Sequence, residues 1–97
     1  MTYFFHPAAE AEHLETVAYY ESKRAGLGAS YLAEFESLMV AACAAPHRYP
    51  VAMEPGVRRI RMTRFPFAAL YRESAGVVQV LAIAHNRRRP NYWLGRL

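Results

Sequence analysis

"VRRIRMTRFPFAALYRESAGVVQVLAIAH", residues 57–85, is the stretch that decides the fold. Its first part alternates. Ile60 and Met62 point one way while Arg59, Arg61 and Thr63 point the other, which is the period-two pattern of a half-buried strand. Phe65 and Phe67 flank Pro66 in a turn. "AALYRE" forms the next strand, and "SAG" reads as a hairpin turn. "VVQVLAIAH" is apolar on both parities, which predicts a central strand buried on both faces. Three strands joined by short connections make an antiparallel meander.

Upstream the period changes. "TYFFH" has the aromatic and β-branched character of a short strand, and Pro7 suits the entry to a helix. From Ala8 to about Arg24 the spacing is helical, with Ala11, Leu14, Val17 and Ala18 as the expected apolar stripe. Glu10, Glu12 and Glu15 lie in its first turns and Lys23 and Arg24 at its end, as the helix dipole favours. The pair Tyr19-Tyr20 reads as core and rim of a helix rather than as a site. "AGLGAS" breaks the helix with two glycines. A second helix over about 29–45 carries Leu32, Phe35, Leu38, Met39 and Ala42, and Pro46 stops it. "PHRYPVAMEPG", with three prolines, reads as a loop. The sequence therefore predicts an α+β domain spanning 1–97: an N-terminal strand, a helical hairpin, then a three-stranded antiparallel meander packed on the helices.

The chain has 97 residues, room for one domain, and is 54% hydrophobic with 21% charged residues, which excludes a disordered chain. No segment approaches the roughly 20 apolar residues of a membrane span. The N-terminus lacks a basic region followed by an apolar one, so a cytoplasmic protein is expected. The single cysteine, Cys43, sits in "LMVAACAA" and reads as a small buried hydrophobe. His6, His13 and His47 have no metal-ligand spacing with His85. Neither a metal nor a cofactor is expected. Charge is unevenly divided. Residues 1–45 carry two basic side chains against six glutamates, and residues 46–97 carry ten arginines against two glutamates. A basic half of this kind suggests a face that meets an anion, nucleic acid or an acidic protein partner.

The arginines concentrate at "AHNRRRPNYW", residues 84–93. If the strand continues, Arg87 and Arg89 share one face and Arg88 takes the other. They then contact phosphate or stabilise developing charge, or they simply form a solvated strand end. Arg59 and Arg61 would extend a basic strip across the sheet if the register allows. His85 reads first as a strand-end residue that holds a loop, with general acid–base work as its alternative. Trp93 reads as an anchor on the core. Tyr92 is open between anchoring and delivering a proton or stacking on a base.

The order strand–helix–helix–three strands, with "RYP" before the meander, "RRIRMTRFPFAALYRE" within it and His85-x-Arg87-Arg88-x-Pro90-x-Tyr92-Trp93 at its end, resembles the RelE/ParE superfamily, and its ParE-like branch in particular. The resemblance spans essentially the whole chain. It implies the small RelE-like fold and a role as toxin of a bacterial type II toxin–antitoxin system. The partner would be a cognate antitoxin, and operator DNA would be met only through that antitoxin. ParE-type members poison DNA gyrase. RelE-type members cut mRNA on the ribosome without a metal, with basic residues and often a tyrosine. Here such a site would use Arg61, His85, Arg88 and Tyr92. The nuclease branch leans on lysines in the meander, whereas the one lysine of this chain is Lys23 in the first helix. Arginine is a poor general base because it is essentially never neutral. The expectation is therefore a gyrase-binding toxin whose target contacts include Arg59, Arg61, Arg87, Arg88, Arg89, Tyr92 and Trp93. A ribosome-dependent endoribonuclease is the alternative, and an inactive homologue kept as an antitoxin-binding partner is a further one.

Overall fold

The computed structural model describes residues 1–97. The order is β1 (Thr2–Phe5), α1 (Pro7–Lys23), α2 (Leu27–Ala44), β2 (Val51–Met53), β3 (Val57–Arg61), β4 (Phe67–Ser74) and β5 (Val77–His85), closed by a short 3-10 turn at Leu94–Arg96. One sheet holds all the strands in the order β1-β5-β4-β3-β2. The expected meander is β3-β4-β5, antiparallel throughout. The N-terminal strand adds to it in parallel, with Phe5 opposite Val80. That places β5 between two neighbours, as its apolar run requires.

The segment read as a loop holds one more strand. β2 pairs with β3 at Val51↔Arg58. Pro50 lacks an N–H but accepts one from Arg59 at 3.1 Å. The prolines suit this position because a short edge strand tolerates missing donors.

Local chemistry sets the helix ends. Pro7 opens α1, and the His6 Nδ1 accepts the Ala8 N–H at 3.0 Å as a cap. Gly26 does the breaking between the helices. Its φ of +88° is a left-handed conformation that side chains resist. Gly28 already lies inside α2, and Glu21 ties the connection by accepting from the N–H groups of both glycines.

The helix hairpin covers one sheet face. Tyr31, Phe35, Met39 and Ala42 of α2 pack with Ile60, Ala69, Tyr71, Val78, Val80 and Ile83. Phe35, Leu38, Met39 and Ala42 of the expected α2 stripe join this core, but Tyr31 is buried where Leu32 was expected, and Leu32 is only half-buried. The expected stripe of α1 is not the buried one. Leu14 is 60% exposed, Ala11 and Ala18 face outward, and the buried positions are Ala9, His13 and Thr16. The polar pair is buried because both side chains are satisfied there. The His13 Nδ1 lies 3.1 Å from the Tyr31 hydroxyl, and the Thr16 hydroxyl donates to the Glu12 carbonyl at 2.7 Å. Tyr20 packs on Tyr31, Phe65 and Phe67, while Tyr19 lies exposed beneath Lys23, so Tyr20 is the core member of the pair and Tyr19 the rim. Cys43 is half-buried at the core margin.

The opposite face of the sheet has a core of its own: Val57, Leu70, Leu81, Ala82 and Trp93. A bulge creates part of it. Tyr71 lies opposite Val80 and Leu70 opposite Ala82, so Leu81 is the extra residue. Leu81 and Ala82 then both join this outer layer, which residues 86–97 cross with Trp93 only 2% exposed. No helix is long and apolar enough to cross a membrane.

Candidate binding site

The outer face carries a cleft of about 160 Å³. Register decides its walls. Arg59 stands opposite Leu70, Arg61 opposite Ala68, and Ala68 opposite Ala84. All five point away from the helices. The two alanines and Leu70 make a low floor, and residues 86–93 wall the other side. Arg59, Arg61, His85, Arg88, Arg89, Tyr92 and Trp93 thus meet around one concavity. The basic strip that the sequence left to register does form across the sheet.

Arg87 is the exception. The strand stops at His85 and residues 86–88 turn, so the alternation expected for Arg87, Arg88 and Arg89 does not apply. Arg88 and Arg89 both line the cleft, and Arg87 does not. His85 causes the turn. Its Nδ1 accepts the Arg87 N–H at 3.0 Å and its carbonyl accepts the Arg88 N–H at 2.9 Å. The loop-holding reading of His85 matches this geometry. The bond to Nδ1 places the proton of the neutral ring on Nε2.

None of the four cleft arginines has an acidic partner. The carboxylates that pair with arginines are Glu34 with Arg64 and Glu12 with Arg96, and Glu73 lies 3.2 Å from the His47 Nε2. No acidic residue lines the cleft. Four guanidiniums facing one space without counter-charge repel one another, and an anion relieves that repulsion.

Tyr92 is held from below. Its ring lies under the Arg88 guanidinium at 4.0 Å, and its hydroxyl donates to the Glu12 Oε2 at 2.7 Å. Burial and that bond push the phenol well above its usual pKa. A phenol held this way keeps its proton and makes a poor base. With the His85 Nδ1 also occupied, neither ionisable group of the cleft offers a free basic atom. The cleft supplies positive charge, N–H donors and aromatic surface, which is equipment for binding. No group of three or more His, Cys, Asp and Glu side chains comes together for a metal.

Sequence reasoning missed Glu12 and Arg96. The Arg96 guanidinium grips the Glu12 carboxylate with two bonds of 2.9 Å. Glu12 also accepts from the Ile83 N–H at 3.0 Å, and Arg96 donates to the Leu81 carbonyl at 3.0 Å. Parallel pairing with β1 ends at Phe5, so these backbone groups of β5 have no strand to bond. The ion pair satisfies them instead. Burial pushes the Glu12 carboxyl up, but the bonds from Arg96, Tyr92 and Ile83 outweigh it and hold the carboxyl below its usual range. No local motif announces the pair, whose members lie 84 positions apart.

No family model matches this chain, and no curated protein does. Among solved structures, a chain of the "Chromosomal ParDE TA system from P. aeruginosa" superposes with a TM-score of 0.73. The match covers 88% of this chain and 95% of that one at 20% identity. The protein therefore has the α+β fold of a component of that ParDE system.

Proposed function

We propose that this chain is the toxin of a bacterial type II toxin–antitoxin pair, of the ParE-like kind, and that it stops growth by binding DNA gyrase in the cytoplasm. The observation that carries this reading is the cleft on the outer sheet face. It gathers four arginines with no counter-charge and holds no free base. Such a surface favours docking over metal-free RNA cleavage. The ParDE likeness supports the system role and a cognate antitoxin. The uneven charge supports an antitoxin with an acidic segment, drawn by charge complementarity to the basic half.

The test is induction in a host without the antitoxin, following thymidine and methionine incorporation together. The expected result is that thymidine incorporation falls first, and that the R59A/R61A double variant abolishes the effect while remaining folded. If methionine falls first with cleavage of translated message, the cleft acts on the ribosome. If neither falls, the toxin reading is overturned, and an inactive homologue that binds antitoxin takes its place.

A further inference from the structure

Residues 86–97 form a strap across the outer sheet face, and three contacts hold it there. Trp93 is buried against Leu70, Leu81 and Ala82. Arg96 reaches past the edge of β5 to grip Glu12 of α1. Tyr92 donates its hydroxyl to the same carboxylate. Neither Glu12 nor Arg96 lines the cleft. Tyr92 does, and it is the surface on which the Arg88 guanidinium lies, 4.0 Å above the ring. A continuous chain of contacts therefore runs from a helix on one side of the sheet to a cleft arginine on the other.

We infer that Glu12 and Arg96 are positioning residues: by clamping the strap they set Tyr92, and through Tyr92 they fix Arg88 in the cleft. The inference rests on the cleft being the target-binding surface. The physical reason is entropy. An arginine side chain at a surface samples many rotamers, and ordering it on binding weakens association. A guanidinium stacked on a fixed ring is already ordered. Beside the burial of Trp93, the ring is fixed by its own hydroxyl bond to Glu12 and by the Arg96 grip that ties the strap to the same carboxylate. The carboxylate has two oxygens and receives bonds from three residues, so one side chain sets the sheet edge, the strap and the stacking ring together.

Two spectroscopic signals read this chain of contacts without reference to toxicity. Trp93 is the sole tryptophan, so its fluorescence reports strap docking. Arg88 lies over the Tyr92 ring, so its side-chain proton resonances carry a ring-current shift. The experiment compares wild type, R96M, R96K, E12Q and Y92F, made by cell-free synthesis, for acrylamide quenching, the Arg88 resonances and far-ultraviolet dichroism. The same variants are induced in cells. In R96M and E12Q, quenching of Trp93 is expected to rise severalfold and the Arg88 shift to collapse, with the dichroism retained and growth arrest lost. R96K keeps the charge without the two-pronged grip, and Y92F keeps the ring without the tie. Both are expected to fall between wild type and R96M, which keeps the inference testable where R96M does not fold. Unchanged Trp93 and Arg88 signals in E12Q and R96M overturn the clamp. A released strap with undiminished growth arrest overturns the positioning role. A wild type that shows the Arg88 shift but does not arrest growth overturns the toxin reading and leaves the clamp standing.

Discussion

Replacing Gly28 with alanine tests the helix hairpin that supports the sheet, and here two effects compete. Alanine is the better helix former, and a compatible Gly→Ala change stabilises a protein by about 0.4–1 kcal/mol. Gly28 is not compatible. A Cβ at this position would meet the Val17 carbonyl oxygen at 2.8 Å, the Glu21 Oε1 at 3.0 Å and the Glu21 Cβ at 3.1 Å. The Glu21 carboxylate can swing aside, losing its bonds to the Gly26 and Gly28 N–H groups, but its Cβ is fixed by the helix. The Val17 carbonyl belongs to the α1 backbone and cannot retreat unless the helices part. Overpacking of this kind costs about 1–3 kcal/mol. The clash therefore outweighs the propensity gain, and G28A is expected to be destabilised by roughly 1–2 kcal/mol. For a domain this size that lowers the Tm by roughly 4–16 °C. Urea unfolding followed by dichroism measures it. Gly26 provides the control. Its Cβ would meet nothing within 4 Å, but its φ is +88°. G26A should thus cost about 1–2 kcal/mol through backbone strain alone, and asparagine, which tolerates that conformation, should recover part of it. No such recovery is expected at position 28. A G28A protein as stable as wild type, or more so, would refute the close helix approach on which this reasoning stands.

Ala75 and Gly76 form the two-residue turn between β4 and β5 with φ values of +54° and +78°, so A75N or A75G should stabilise the protein by about 0.5–1 kcal/mol, read as a higher urea midpoint. Phe35 is fully buried and stacks on Phe5, so F35A should lose about 3–5 kcal/mol, a large part of a typical domain stability, and growth arrest should fail through unfolding with a lowered Tm as the check. Stability should fall in two stages on acidification, measured as Tm against pH. Burial depresses the His13 pKa against the pull of Glu36 and Glu10, so the unfolded chain takes up that proton first and stability declines as pH drops below 6.5. Glu12 and Glu34, both held low by hydrogen bonds that outweigh burial, contribute fully above 4.5 and lose that contribution as pH falls through their folded values. H13Q should lack the first stage, and a first stage that persists in it would remove His13 as the cause.

The meander and the end of α1 were legible because they rest on local signals: alternation at residues 57–63, an apolar run at 77–84 interrupted only by Gln79, and Gly26. The inward face of α1 was not. Hydrophobic periodicity selects Leu14, yet the helix turns Glu12, His13 and Thr16 inward. What buries a polar side chain is a partner, and those of Glu12 and His13 lie on β5, α2 and the strap, far along the chain. The cleft shows the same division. Its residue types stood out as a cluster of arginines, a histidine and two aromatics. Which of them share a space depended on register and on where β5 ends. The turn set by His85 brings Arg88 and Arg89 to the sheet and leaves Arg87 outside. Tyr92 looked free to move a proton because nothing near it in sequence shows the carboxylate that engages its hydroxyl.

The charge imbalance between the halves of the chain has a structural cause. Three glutamates of the acidic half bind within the fold. Glu12 closes the free edge of β5 and holds the strap. Glu21 ties the helix connection. Glu34 accepts from the backbone N–H groups of Thr63 and Arg64 and secures the turn after β3. Each carboxylate receives N–H donors that would otherwise lack a partner, and each lies away from the cleft. The arginines of β3 and of the turn after β5 are thereby left without internal anions. Their positions follow from the same geometry, since small residues at 68 and 84 lower the floor between them. A larger side chain at either alanine would fill the space without changing the charge, and a carboxylate there would offset one of the four positive charges. The helix-covered face holds the larger core and the strap-covered face holds the unpaired arginines, and the Glu12–Arg96 pair at the edge of β5 joins the two.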